Sequence, residues 1–410
     1  MNRIGIITSG GDCGGLNAVI HGAARMAEHY GISSVVIPNG YAGLYNLVDF
    51  EEGSLTEMNS SRLRDVSVTL AGSEAGHSRV KISKIDDPHK YERIREGLKK
   101  HGIDALVVSG GDDTGSVVVD LTENGIPVNH APKTMDLDLM TYSVGGDSTI
   151  GRLQRFISDL KTTGQSHNRI IVVETFGRYV GQTALKGGVA GGADCILIPE
   201  IAPDFDIVYE HLFNRFTSRV LESDVKAGTY MIVTAEALRG DPSKDDVNEK
   251  GFLIDPSKGR DAHGHYKLAG AGERVASELS VRMNMDERIP EFMKEAGLYI
   301  EGQYTKPEIR VIKPTHLLRC GDSSAYDVNF GLKAGAGAVI LLLEGITGMT
   351  VAGIENNEVK YLPTAEAIKQ NTVSLDEVPI YEAMGITFGR NPEEFRPKLV
   401  QVPPSEARHY

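Results

Sequence analysis

Asp104-Ala-Leu-Val-Val-Ser109 runs straight into Gly110-Gly111-Asp112-Asp113-Thr114-Gly115, and a helix-forming stretch, Val117 to Glu123, follows. A short apolar run closed by glycines and followed by a helix is the opening of an α/β unit. The chain begins the same way. Arg3-Ile-Gly-Ile-Ile-Thr8 leads to Ser9-Gly10-Gly11-Asp12 and Gly14-Gly15, then to a helical stretch from Leu16 to His29. Ile126-Pro-Val-Asn-His130 reads as a third strand, ending at Pro132-Lys133-Thr134-Met135-Asp136. Further on, Arg169-Ile-Ile-Val-Val-Glu174 precedes Phe176-Gly177-Arg178 and a helix near Gly181 to Ala190. Ala193 to Ile198 and Tyr230 to Ala235 are two more strands, Gly272 to Met283 is helical, and Ala325 to Leu343 reads as a buried helix. Alternating strands and helices predict mostly parallel sheets with helices on both faces, joined by right-handed crossovers. Gly240 to His265, rich in Gly, Asp, Lys and Pro, reads as an exposed loop or hairpin insertion, and the tail from Pro403 onward as loosely held.

The chain has 410 residues, and at about 150 residues per domain that predicts two or three domains. A hydrophobic fraction of 40% with 24% charged residues is a globular balance, which excludes collagen, coiled coil and wholesale disorder. Forty-three Lys and Arg against 56 Asp and Glu leave a net charge of -13. Such a field repels nucleic acid and anionic membrane, so neither is expected as a partner. A phosphorylated ligand must then be held by a local basic pocket. The three cysteines, Cys13, Cys195 and Cys320, form neither a disulfide framework nor a CxxC zinc pair. The opening MNRIGIITSGGD lacks a signal-peptide layout, and no apolar run is read as reaching the roughly 18 residues that a membrane span needs. A cytoplasmic protein is expected.

Two loops are both glycine-rich and acidic: Gly10-Gly11-Asp12 and Gly110-Gly111-Asp112-Asp113. Glycines let backbone approach an anion, and the helix N-terminus that follows offers free N–H groups and a favourable dipole. Asp112 suits a hard cation shared with phosphate oxygens. Each loop alone reads equally well as a tight turn; two in one chain favour phosphate binding. There is no G-x-x-x-x-G-K-[ST], and Gly270-Ala-Gly272 and Gly335-Ala-Gly337 read as helix-packing sites rather than dinucleotide loops. Asp136 and Asp138 follow a strand, at the edge where α/β proteins seat ligands. Two carboxylates there suit general-base and orienting work, or simply a turn or helix cap.

These motifs, with Ala235-Glu236-Ala237, Glu308-Ile309-Arg310 and His316-Leu317-Leu318-Arg319, occur in an order that resembles the phosphofructokinases. The resemblance runs from residue 3 to about residue 343, and the last sixty or so residues add little to it. It implies two doubly wound α/β lobes with the active site in the cleft between them. Residues 1–140 plus about 322–375 would form the phosphoryl-donor lobe, and 141–321 plus about 376–410 the sugar-phosphate lobe. The implied reaction is Mg²⁺-dependent phosphoryl transfer to the C1 hydroxyl of fructose 6-phosphate. Gly11, Gly111, Asp112 and Thr114 would bind the donor, with Asp112 linked to Mg²⁺. Asp136 resembles the base, with Thr134 beside it and Asp138 supporting. Phe176, Gly177 and Arg178 resemble the family's Met-Gly-Arg turn, Glu236 a ligand of sugar hydroxyls, and His316 and Arg319 the 6-phosphate clamp. Arg169 and Arg310 match arginines supplied by a neighbouring subunit, which implies a homo-oligomer, dimer or tetramer.

The ATP-using members carry glycines where this chain has Asp113 and Lys133. An aspartate fills space that a nucleotide would need and puts negative charge near its α-phosphate; the lysine offers an ammonium to pyrophosphate. The pair resembles the pyrophosphate-using branch, whose reaction is near reversible and serves glycolysis or gluconeogenesis. Glu74 and Ala75 stand where the ATP type has an arginine. The alternatives are an ATP-dependent kinase of the same sugar phosphate, a catalytically silent regulatory subunit, or an Asp113 that merely caps its helix. Leu137 replaces a usual Asn, so a local hydrogen bond is expected to be lost; Cys320-Gly321-Asp322 also departs from the pattern, and His21 with Arg25 leaves an effector site doubtful.

Overall fold

The computed structural model describes residues 1–260 and 266–403. Its strands are β1 (Arg3–Thr8), β2 (Ser33–Val36), β3 (Ala105–Gly110), β4 (Val128–Pro132), β5 (Arg169–Thr175), β6 (Cys195–Leu197), β7 (Tyr230–Ala235), β8 (Glu308–Ile312), β9 (Met349–Glu355) and β10 (Glu358–Pro363). They make two sheets, one of six strands in the order β10-β9-β4-β3-β1-β2 and one of four in the order β6-β7-β5-β8. All pairings are parallel except the hairpin of β9 and β10.

Successive side chains of a strand point to opposite faces, and here both faces are buried. Ala105 and Val107 enter one core cluster with Ile4 and Ile6, while Leu106 and Val108 enter another with Ile7 and Val35. In β5, Ile170 and Val172 face one cluster and Ile171 and Val173 the other. Doubly wound sheets of this kind need apolar strands without polar alternation, which is what the sequence carries. One cluster also joins Cys13, Leu16 and Met135, from the loops and helix of the six-stranded sheet, to Ile196 and Val233 of the four-stranded one.

Helices fall close to their predicted places at Leu16–His29, Gln182–Gly191, Ala271–Met285 and Ala325–Leu343. One differs in a way that matters. The helix read from Val117 begins at Asp112, so Asp112 and Asp113 form its first turn, where carboxylates are favoured by the helix dipole. The insertion is a set of isolated antiparallel bridges, Arg239 to Phe252, Val247 to Leu253 and Ile254 to Leu268 among them. Residues 261–265 of it, and the tail from Pro404, lie outside the described residues.

Helix Ala325–Leu343 corrects one expectation. Its 19 residues, mean hydropathy 1.3, are long and apolar enough by composition to cross a membrane. It is instead a core helix, with 61% of that window buried in the protein. It lies so close to helix Leu16–His29 that a side chain at Gly335 would strike the Val19 carbonyl, and one at Gly22 the Leu332 carbonyl. Gly337 abuts Val351 and Gly272 abuts Val311, so Gly335, Gly337 and Gly272 are packing sites as read, whereas Gly270 touches nothing and is instead the left-handed N-cap of its helix, φ 86°.

Asp327, fully buried near the start of that helix, fixes the long helix Gly146–Ser166. Its carboxylate accepts from Tyr142 Oη at 2.6 Å, Gly145 N–H at 2.9 Å, Ser148 N–H at 2.7 Å and Ser148 Oγ at 2.5 Å. Asp327→Ala leaves those four donors without this partner, three of them buried and the Tyr142 hydroxyl half-buried. The expected cost is on the order of 3 kcal/mol, read as a lower urea midpoint at unchanged slope. A loss within the ~0.5 kcal/mol of ordinary surface changes would show the tie to be unimportant.

Candidate active site

The carboxyl ends of β1, β3, β4, β5 and β7 open on one cavity of about 510 Å³. This is the edge at which parallel sheets seat ligands, because helix N-termini and short loops meet there. Gly10 and Gly11 come from β1, Gly111 to Thr114 from β3, Lys133 to Asp136 from β4, Phe176 and Arg178 from β5, and Glu236 from β7. His316 and Arg319 close it from the segment after β8.

On the six-stranded side, Gly10 takes a left-handed turn, φ 87°, and a Cβ on Gly11 would lie 2.5 Å from Arg319 Nη1. Only a glycine leaves the guanidinium there. Lys133 Nζ donates to the Gly11 carbonyl, and burial pushes its pKa down. Asp113 stands between two cations, Lys81 Nζ at 3.6 Å and Arg178 Nη1 at 3.6 Å. Asp112 takes the same guanidinium at 3.3 Å. The helix N-cap is Gly111, which has no side chain, and Asp113 lies inside the first turn as the ion-pair partner of these two cations.

On the four-stranded side, the Glu236 carboxylate accepts from Gly177 N–H at 3.3 Å and Arg178 N–H at 2.8 Å. This holds Arg178 in a left-handed conformation, φ 50°, that a non-glycine residue rarely adopts. Desolvation, with the charge of Asp136 adding to it, raises Glu236 to about 7. Asp136 N–H donates to Thr134 Oγ1 at 3.1 Å, and neither Asp136 nor Asp138 starts a helix. Burial raises Asp136, opposed by Arg319 and Arg178. Asp138, behind it and outside the cavity lining, is raised to about 7 by burial and by Asp136. Phe176 carries the clamp: its ring meets His316 at 5.9 Å and the Arg319 guanidinium at 5.3 Å.

Leu137, in place of Asn, adopts φ 56°, a left-handed backbone that Asn tolerates better, and packs on Gly146. Arg169 and Arg310 do not reach this cavity. Both pair with Glu308, Arg169 at 2.8 Å, at the far end of β5 and β8. Six strand steps of about 3.3 Å put Arg169 roughly 20 Å from Thr175, the residue before Phe176. Sequence reading missed Arg79, Lys81, Tyr179 and Lys267; three line the cavity and Lys81 pairs with Asp113. Arg79-Val80-Lys81, two cations on one side of an extended stretch, was a legible signal. Nothing marked Lys267, which lies just past the insertion.

Glycine loops at helix starts, cations aimed inward and a raised carboxyl define a cleft for phosphorylated ligands. The phosphofructokinase family model matches residues 3–342, and the chain belongs to that family. It is a phosphotransferase. The pyrophosphate–fructose 6-phosphate 1-phosphotransferase of Dictyoglomus thermophilum is 32% identical over 394 residues, 95% of this chain and 99% of the relative. That of Streptomyces coelicolor is 31% identical over 391 residues, 94% of this chain and 100% of the relative. The ATP-dependent 6-phosphofructokinase of Chloroflexus aurantiacus is 29% identical over 394 residues, 94% of this chain and 98% of the relative. A crystal structure of pyrophosphate-dependent phosphofructokinase from Marinobacter aquaeolei shares the fold, with TM-score 0.65 and 18% identity over 98% of this chain and 95% of that one.

A carboxyl raised from 4.5 to about 7 on folding stabilises the protein below its unfolded value and loses that contribution as pH rises through 7. Glu236→Gln keeps an acceptor for the two N–H groups but cannot ionise. The variant's Tm relative to wild type is therefore expected to improve between about pH 5 and pH 8. A difference that stays flat with pH would remove the raised Glu236.

Proposed function

We propose that the enzyme transfers a phosphoryl group from pyrophosphate to the C1 hydroxyl of fructose 6-phosphate, reversibly and with Mg²⁺. The reading rests on the donor end of the cleft. Asp113 is paired on both sides, with Lys81 and Arg178, so swinging it aside for a nucleotide would break both ion pairs. Lys133 fills the space under Gly10 and Gly11, its ammonium 3.5 Å from where a Gly10 side chain would start. A slot closed by these two side chains fits a compact inorganic anion better than a nucleotide.

Phosphoryl transfer passes through a loose transition state, so positioning and charge compensation dominate. Arg178 and Arg319 offer forked donors to phosphate oxygens. Asp136, raised by burial, accepts the C1 hydroxyl proton as the C1 oxygen bonds to the transferred phosphorus and the bridging P–O bond of pyrophosphate breaks, releasing phosphate. Among the described residues no three His, Cys, Asp or Glu gather into a closed metal site. Mg²⁺ does not need one, since it takes one or two carboxylates plus phosphate oxygens. Asp112, half-exposed on the cavity wall, suits that shared role. Bound there, Mg²⁺ would offset charge on the phosphoryl oxygens. Arg169 and Arg310, too far from their own cavity, would serve that of a neighbouring subunit in a homo-oligomer.

Turnover with pyrophosphate and little with ATP is the expected donor profile; turnover with ATP alone would overturn it. Asp136→Asn should cut kcat by about 10²-fold while fructose 6-phosphate still binds, and undiminished turnover would remove the base. Mixing inactive Asp136→Asn subunits with Arg310→Ala subunits, after dissociation and reassembly, should restore part of the activity. No gain on mixing would place Arg310 outside the shared site.

A further inference from the structure

We propose that residues 364–374 are a strap that holds the catalytic loop in register, with Glu200 as its clasp and a positioning residue for phosphoryl transfer. The strap lies beyond the 3–342 span of the family model. It starts where β10 ends, in the short helix Thr364–Ala367. From there it crosses to the other sheet's core, where Val373 packs with Ile196 and Ile198.

On the way it is bonded to both halves of the cleft. Met140 N–H donates to the Ala367 carbonyl at 3.0 Å, and Asn371 N–H to the Asp138 carbonyl at 2.8 Å. These bonds fix the loop that carries Asp136. The next two residues bind the opposite wall. Gln182 Nε2 donates to the Thr372 carbonyl at 3.2 Å, and Val373 N–H to Glu200 Oε1 at 3.0 Å. The same Glu200 oxygen accepts Gly181 N–H at 3.0 Å. Gly181 and Gln182 open the helix that follows Phe176-Gly177-Arg178. Thr183 Oγ1 adds a direct bond to the Met135 carbonyl at 3.1 Å. One carboxylate oxygen thus joins the sugar-side turn to the strap, and the strap to the base loop.

Two details mark the clasp as specific. A Cβ at Gly181 would strike the Ile198 side chain at 2.5 Å and lie 2.7 Å from Glu200 Oε2, so the glycine admits both the core residue and the carboxylate. That Oε2 is buried with no hydrogen-bond partner among the described residues. A buried oxygen left unpaired is costly, and it is retained here beside an oxygen that makes two bonds. Because reaction rate falls steeply when a reacting group shifts by an ångström, loosening this clasp acts on turnover.

The inference rests on Asp136 as the base but not on which donor is used. Its test is steady-state kinetics with whichever donor the wild type accepts, normalised to folded enzyme. Glu200→Ala should lower kcat by ~10- to 100-fold with KM for fructose 6-phosphate within about twofold. Glu200→Gln, which keeps one oxygen able to accept both N–H groups, should return kcat to within about threefold of wild type. A kcat in Glu200→Ala within about twofold of wild type, or a rise confined to KM, overturns the proposal. So does a Glu200→Gln as slow as Glu200→Ala. Should Glu200→Ala fail to fold, Gln182→Leu removes only the bond to Thr372. A fall in kcat of about threefold or more at constant KM supports the strap, and unchanged kcat overturns it. The role of Asp136 is read separately, from Asp136→Asn.

Discussion

Arg178 spans the cleft. Its backbone is held by Glu236 at the end of one sheet, and its guanidinium reaches Asp112 and Asp113 at the end of the other. The rest of the site is arranged around that bridge. It ties the two walls together and offsets two of the carboxylates lining the cavity, and its left-handed backbone follows directly on Phe176 and Gly177. The bridge also holds Asp113 in place from one side while Lys81 holds it from the other. An exposed pair of this length would be worth little. Here the partners are partly buried and constrained on both sides, so the geometry rather than the pair energy is what the fold gains.

The electrostatics follow from crowding. The chain carries a net charge of -13, yet its cleft gathers Lys133, Arg178 and Arg319, with Arg79 at the rim. Against them stand Asp112, Asp113, Asp136 and Glu236, the last two pushed toward the neutral form by burial. Like charges facing one another in a half-dry cleft are unfavourable without a ligand. A phosphorylated anion supplies the missing negative charge near the cations, which is how an acidic protein can hold one.

Much of the fold was legible because it is written in local pattern. Apolar runs such as Ala105–Gly110 and Arg169–Thr175 announce buried strands, and the glycine turns after them announce where ligands sit. The motifs from Gly11 to Arg319 were legible as residue types in order, and the cleft does bring most of them together. Other features were not legible. Helix Ala325–Leu343 could be read as buried, but only its approach to Leu16–His29 shows what buries it. Nothing local indicates that Asp138 lies behind Asp136, that Leu137 bends through a left-handed turn, or that residues 364–374 return to the site.

By itself, then, the sequence determined element type, the order of the motifs and the family, because these depend on the periodicity and chemistry of neighbouring residues. Tertiary structure alone decided that Lys81 grips Asp113, that Arg169 and Arg310 face away from their own cavity, and that Glu200 fastens a distant strap. The partners in Lys81–Asp113 and Glu200–Val373 are 32 and 173 positions apart, and the local pattern around one carries no information about the other. Packing within the six-stranded half brings the first pair together, and the crossing of residues 364–374 to the other sheet brings the second.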